Sequence, residues 1–141
     1  MQHFDRESLQ FLVDEGISPS IFSAAPETLR TANTRGESPL CIACKRGHLE
    51  IARWLFDQGA AEDVRKTDNH GNTPMLTACE NGHLEVAQWL FGAGAAEDVR
   101  TAENHGNTPM LMACKHGHLG VAQWLFDVGA AEDIRRTAER R

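Results

Sequence analysis

The chain has 141 residues and sets 20 acidic side chains against 14 basic ones, for a formal charge of −6. That length suits one domain, and the acidic balance argues against the net basic face a nucleic-acid partner requires. The start, Met1-Gln-His-Phe-Asp-Arg-Glu, lacks the apolar core of a signal peptide, and no apolar run is long enough to cross a bilayer. A soluble protein of the cytoplasm, with the nucleus as the other option and no membrane partner, is the expectation.

In chain order, residues 8–16 read Ser-Leu-Gln-Phe-Leu-Val-Asp-Glu-Gly, a pattern that returns three times downstream. Gly16 aligns with Gly94, Leu12 with Leu90 and Phe11 with Trp89. This predicts an N-terminal half-unit acting as a cap. Ser18-Pro19 and Ala25-Pro26-Glu27 could each open a short helical turn, and Ile21, Phe22 and Leu29 are candidates to cover the next unit. The cap and its loop take residues 1–33.

From there the chain repeats itself. Gly36, Gly71 and Gly106 stand 35 residues apart, each the first residue of the frame G-x-[ST]-P-[LM]-x-x-A-C-x-x-G-H-L-x-[IV]-A-x-W-L-F-x-x-G-A-A-E-D-[IV]-R. A fixed period of this length marks a solenoid of stacked units, each burying its apolar face only against its neighbours. The units are placed at 34–68, 69–103 and 104–141. Within the middle unit, Thr73-Pro74 predicts a capped helix start and Gly82 its end. Met75, Leu76, Ala78 and Cys79 share one side of that short helix, and Thr77, Glu80 and Asn81 the other. The second helix, from about Leu84 to Gly92, is apolar on most sides and is expected to be sandwiched between its equivalents. There the Trp54/Trp89/Trp124 and Phe56/Phe91/Phe126 series would supply large buried area.

On these residues the frame G-N-T-P-M-L-x-A-C-x-x-G-H-L-E-V-A-Q-W-L-F-x-x-G-A resembles the ankyrin repeat, over three full units from Thr34 to about Arg136 and most of a fourth. The resemblance implies an all-α helix–turn–helix repeat solenoid with hairpin-like loops, used for non-catalytic protein–protein recognition. Two departures stand out. The period exceeds the family's roughly 33 residues. The extra length lies in Ala-Glu-Asp-Val/Ile-Arg, which should lengthen the outer helix or widen the loop. The family's histidine after T-P-L is replaced by Cys41, Leu76 and Leu111, so apolar packing should replace its hydrogen bond.

The C-terminal unit keeps Val121, Trp124 and Phe126, although a terminal repeat normally turns a polar face outward. Either residues 131–141 fold over as a charged lid, or the chain is part of a longer array, or that end meets another molecule. The expected state is a monomer, with self-association through the C-terminal repeat as the alternative.

The units differ from one another at Ile42/Thr77/Met112 and at Lys45-Arg46/Glu80-Asn81/Lys115-His116, two sets expected to share one open face of the inner helices. Asp57-Gln58/Gly92-Ala93/Asp127-Val128 vary as well. The resemblance implies that this inner face and the turn tips hold a partner protein. The tips are Thr34, Arg35 and Glu37, then Asn69, His70 and Asn72, then Asn104, His105 and Asn107. The competing reading is that these positions are merely solvated, and the chain a spacer or targeting segment without its own ligand.

Other chemistry has weaker claims. Cys44, Cys79 and Cys114 share one repeat phase, and helices stacked roughly 8–10 Å apart keep their alpha carbons beyond disulfide reach. They read as small buried thiols of a reducing compartment. Cys41-x-x-Cys44 with His48 has metal-ligand types at helical spacing, but Cys44 is explained by its phase, so no metal and no cofactor is assigned. His48, His83 and His118 recur after the turn glycines and read as turn-stabilising hydrogen-bond partners. The pairs Glu62-Asp63, Glu97-Asp98 and Glu132-Asp133 also recur, so they belong to the scaffold, not to an active site. No nucleophile with its base and no phosphate-cradling loop is present, and the chain is not expected to be an enzyme.

Overall fold

A computed structural model of the chain describes Glu15 and residues 29–130. The capping half-unit over residues 8–16, the short turns expected up to residue 28 and the tail 131–141 lie outside the described residues, apart from Glu15. Among the described residues, three helical hairpins stand out: α1 (Pro39–Arg46) with α2 (Leu49–Leu55), α3 (Pro74–Glu80) with α4 (Leu84–Leu90), and α5 (Pro109–Lys115) with α6 (Leu119–Leu125). No strand occurs among the described residues.

Each inner helix opens on the device read from the sequence. The hydroxyls of Ser38, Thr73 and Thr108 accept from the amides of Cys41 (3.1 Å), Leu76 (3.0 Å) and Leu111 (3.2 Å), satisfying a donor the helix cannot use internally. Proline follows at the first helical position. At the other end the chain reverses through Gly47 (φ 79°) and Gly82 (φ 77°), a left-handed conformation that a Cβ disfavours.

The outer helices are shorter than expected. Each ends at Leu55, Leu90 or Leu125 and runs into one wide π turn, Phe56–Ala60, Phe91–Ala95 or Phe126–Ala130. In the first two of these turns the chain breaks direction at Gly59 (φ 117°) and Gly94 (φ 120°). The two extra residues neither lengthen the outer helix nor leave a loose loop. They build a separate 3-10 turn, Ala61–Arg65 and Ala96–Arg100, which buries Asp63 with Val64 and Asp98 with Val99.

Stacking is closest on the inner side, where α1 lies against α3 and α3 against α5. Small buried side chains, Ala43 and Cys44 facing Ala78 and Cys79, let those backbones approach. The outer helices are wedged apart by rings. Phe56 meets Trp89 edge to face at 5.6 Å, and Phe91 meets Trp124 at 5.8 Å, a favourable quadrupole geometry. The tryptophans were expected to vanish into the seams; they are half-buried, and Trp89 and Trp124 each bridge to the unit before. Close inner and spread outer contacts curve the stack with the inner helices on its concave side. In the last unit Leu111, Leu119 (78% exposed) and Phe126 are open to solvent, because none of the described residues stacks on them.

Candidate functional site

The turn tips are rigid hairpins, built three times from three different residues. The Asn33 Oδ1 accepts from the amides of Arg35 (3.0 Å) and Glu37 (2.9 Å). Asp68 does the same for His70 and Asn72, and Glu103 for His105 and Asn107. The amide hydrogen bonds hold the Glu103 carboxyl below its usual range, that from Asn107 contributing most. Successive tips are then laddered. The Asn69 amide donates to the Arg35 carbonyl (2.9 Å) and its side chain to that of Thr34 (3.0 Å). Asn104 repeats both contacts on His70 and Asn69. Asn69 and Asn104 therefore serve the scaffold. Gly36 and Gly71 are required beneath them, since a Cβ would meet the asparagine Oδ1 at 2.4 and 2.3 Å.

The variable positions do not all lie on the open face. Ile42, Thr77 and Met112 are buried, which corrects the expectation that they share a surface with their neighbours. The inner helices sit so close that this phase turns inward: Thr77 hydrogen-bonds Cys41 of the preceding unit and donates to the Pro74 carbonyl at 2.9 Å. Glu37 is also buried, at 6% exposure, where its carboxylate takes Asn33 Nδ2 at 3.0 Å and Lys45 Nζ at 3.2 Å. It is a wall of the site, not a projecting tip. Asn72 is half-buried and donates to Asp68 (3.0 Å).

What remains exposed or half-exposed forms two columns. One is Lys45, Glu80 and Lys115; the other is Arg46, Asn81 and His116, with Arg35, His70 and His105 at the tips. His116 Nε2 lies 3.6 Å from Glu80 and its ring stacks on His118, while Asn81 caps its own helix through Thr77 (2.8 Å). The face runs basic, acidic, basic along the stack.

The recurring histidines reach further than their own turns. The His83 imidazole donates to the Lys45 carbonyl of the preceding unit, and its Nδ1 lies 2.6 Å from where a Gly47 Cβ would stand. His118 takes the same place at Gly82. Burial lowers the His83 pKa from its ordinary 6.5, against the raising effect of that hydrogen bond.

Within the acidic pairs the two carboxylates part company, a distinction the sequence reading missed. Asp63 is buried and receives the Arg30 guanidinium at 2.9 and 3.2 Å; Asp98 receives Arg65 at 2.9 and 3.1 Å. Glu62 and Glu97 are exposed and touch the same arginines only from the solvent side, at 3.3 and 3.5 Å. These forked contacts raise both arginine pKa values, chiefly through the aspartate hydrogen bond. The fixed 33-residue separation of Arg from Asp was the available signal.

Cys41, Cys44 and Cys79 are buried thiols. Burial pushes Cys41 up to about 12, with the Glu37 carboxylate adding to it; burial alone takes Cys79 to about 12, and burial together with the neighbouring Cys41 raises Cys44. Cys114 is exposed. Among the described residues no three His, Cys, Asp or Glu side chains converge as a metal cage, and no helix is long and apolar enough to cross a membrane.

No curated protein matches the chain. Residues 2–101 match the family model described as Ankyrin repeats (3 copies), and residues 105–134 that described as Ankyrin repeat. The first match reaches across the segment read as a capping half-unit. With the family's pattern over most of its length and hairpins stacked in that order, the chain belongs to the ankyrin repeat family.

Proposed function

We propose that this chain is a non-catalytic recognition module that holds a partner protein on the inner-helix face. Ankyrin repeats are generally protein–protein interaction modules and typically non-catalytic, which supports the class. One observation carries the finer reading. Three units that share most of their packed residues, the buried Ile42/Thr77/Met112 among the exceptions, diverge on the solvent side at the columns Lys45/Glu80/Lys115 and Arg46/Asn81/His116. The laddered tips and paired seams pre-organise that face, so binding orders little of the protein and loses little entropy. A monomer working in the cytoplasm or nucleus fits this reading.

The test is joint replacement of Arg46, Glu80 and Lys115 by alanine. Partner capture should drop by at least about tenfold, on the scale of a few lost charged contacts, while helix content and Tm hold. Unchanged capture would assign the stack to a spacer or targeting role.

A further inference from the structure

The third unit leaves open a face that the two before it bury. In the seams between units, three contacts recur on three parts of the hairpin. At the tip, Asn69 and Asn104 lie over Gly36 and Gly71, and their backbone amides donate to the Arg35 and His70 carbonyls at 2.9 Å. At the turn, the His83 and His118 rings lie over Gly47 and Gly82, each 2.6 Å from where a Cβ would stand. On the outer helix, Trp89 and Trp124 meet Phe56 and Phe91 edge to face. The surface between these points is closed: Cys41, Leu76, Cys44 and Cys79 are at most 1% exposed, and Leu49 and Leu84 are half-buried.

In the third unit every receiving position is present and every one is open. Gly106 (φ 85°) and Gly117 (φ 76°) keep the same left-handed turns, with no described residue within 4 Å of where a Cβ would stand. Leu111 is 50% exposed, Leu119 78% and Phe126 44%, and Cys114 is exposed beside them. Large apolar side chains at three points of one outward face run against the polar surface that ends a stack in water. The two bare glycine turns say more than the apolar area does, because each matches a specific side chain of an incoming unit.

The internal seams specify that unit. Asparagine, histidine and tryptophan recur at intervals of 14 and 6 residues in both units that stack on a predecessor, as Asn69, His83 and Trp89 and as Asn104, His118 and Trp124. Residues 131–141 contain none of these three residue types. In a second copy of the chain the matching side chains are already engaged in its own seams. We infer that the open end docks a helical hairpin of the same repeat type, borne by a partner polypeptide and carrying asparagine, histidine and tryptophan at that spacing. The tryptophan sits edge to face on Phe126, the histidine over Gly117 and the asparagine over Gly106, with Leu111 and Leu119 closed between them. This contact lies at the end of the stack and does not depend on the variable inner columns.

The test joins a probe hairpin, a second copy of residues 69–103, to the full chain after Arg141 through a flexible Gly-Ser linker of about twelve residues, and follows amide chemical shifts and exchange. The amides of Gly106, Gly117, Leu119 and Phe126 should shift relative to the unextended chain. Those of the added hairpin should exchange at least about tenfold more slowly than in the free peptide. Leu119→Glu, at an exposed position and checked for unchanged helix content, should remove both effects. Replacing the added hairpin's asparagine, histidine and tryptophan together by alanine should do the same. An unshifted end overturns the inference, and so does a shift that survives the alanine replacements, which marks a face open to any apolar hairpin. If the unextended chain sediments as a dimer and these amides shift on dilution, the occupant is a second copy. If removing residues 131–141 shifts Gly106 and Leu119, the occupant is that segment. Either result overturns the partner assignment, whereas the recognition reading is decided separately by the triple alanine variant of the inner face.

Discussion

At the scale of single residues, the seams rest on small polar groups doing inter-unit work. His83 is the case with a measurable signature. Its proton is bound less readily in the folded chain than in the unfolded one, because burial disfavours the imidazolium. Its contribution to stability is therefore complete above its ordinary 6.5 and is lost as pH falls below that value towards the folded pKa. Tm measured between about pH 8 and pH 5 should decline on the acid side, and His83→Gln should flatten that decline. An unchanged slope in the variant would remove His83 as its source. The presence of this histidine was legible from its fixed phase, but its partner was not. Local reading assigns it to its own turn, whereas its hydrogen bond goes to Lys45, in the unit before.

At the scale of elements, helix starts and reversals were readable, because Ser/Thr-Pro caps and turn glycines act within four or five residues. The extra residues of each repeat were not. Glu97-Asp98 looks in sequence like one acidic feature, yet the Glu97 side chain is 83% exposed and that of Asp98 2%. Both reach Arg65, Glu97 from solvent at 3.5 Å and Asp98 at 2.9 Å, and only the neighbouring unit decides which of them is buried; Asp98 also accepts from the Thr101 hydroxyl at 2.9 Å. Asp98→Ala leaves that cluster without its acceptor and should lower Tm by several degrees, on the order of 5 °C. Glu97→Ala, removing an exposed charge, should leave Tm within about 1 °C. Equal effects from the two substitutions, read by thermal denaturation, would show that the buried carboxylate is not a seam contact.

The same limit governs the candidate site. Lys45, Arg46, Glu80 and Lys115 were found by comparing the units, since exposed positions on a repeated scaffold are free to differ. Ile42, Thr77 and Met112 differ too, yet they are buried. Variation marks where the packing tolerates change, and only the closeness of α1, α3 and α5 shows which of those places faces solvent. Glu37 was misplaced for a related reason, since its burial depends on Lys45 eight residues on.

At the scale of the molecule, units joined only to their neighbours make a curved stack with one variable side. The inner helices approach through alanine and cysteine, the outer ones are spread by Phe56–Trp89 and Phe91–Trp124, and the concave side carries the alternating charge. The opposite side offers an internal control: Arg53, Gln88 and Gln123 occupy one phase of the outer helices and are exposed. The most direct measurement compares, in one quantitative capture assay, the wild-type chain with an inner triple variant (Arg46, Glu80 and Lys115 to alanine) and an outer one (Arg53, Gln88 and Gln123 to alanine). Capture should fall at least about tenfold for the inner variant and stay at the wild-type level for the outer one. Equal losses from both, or a loss from the outer variant alone, would contradict recognition through the inner face.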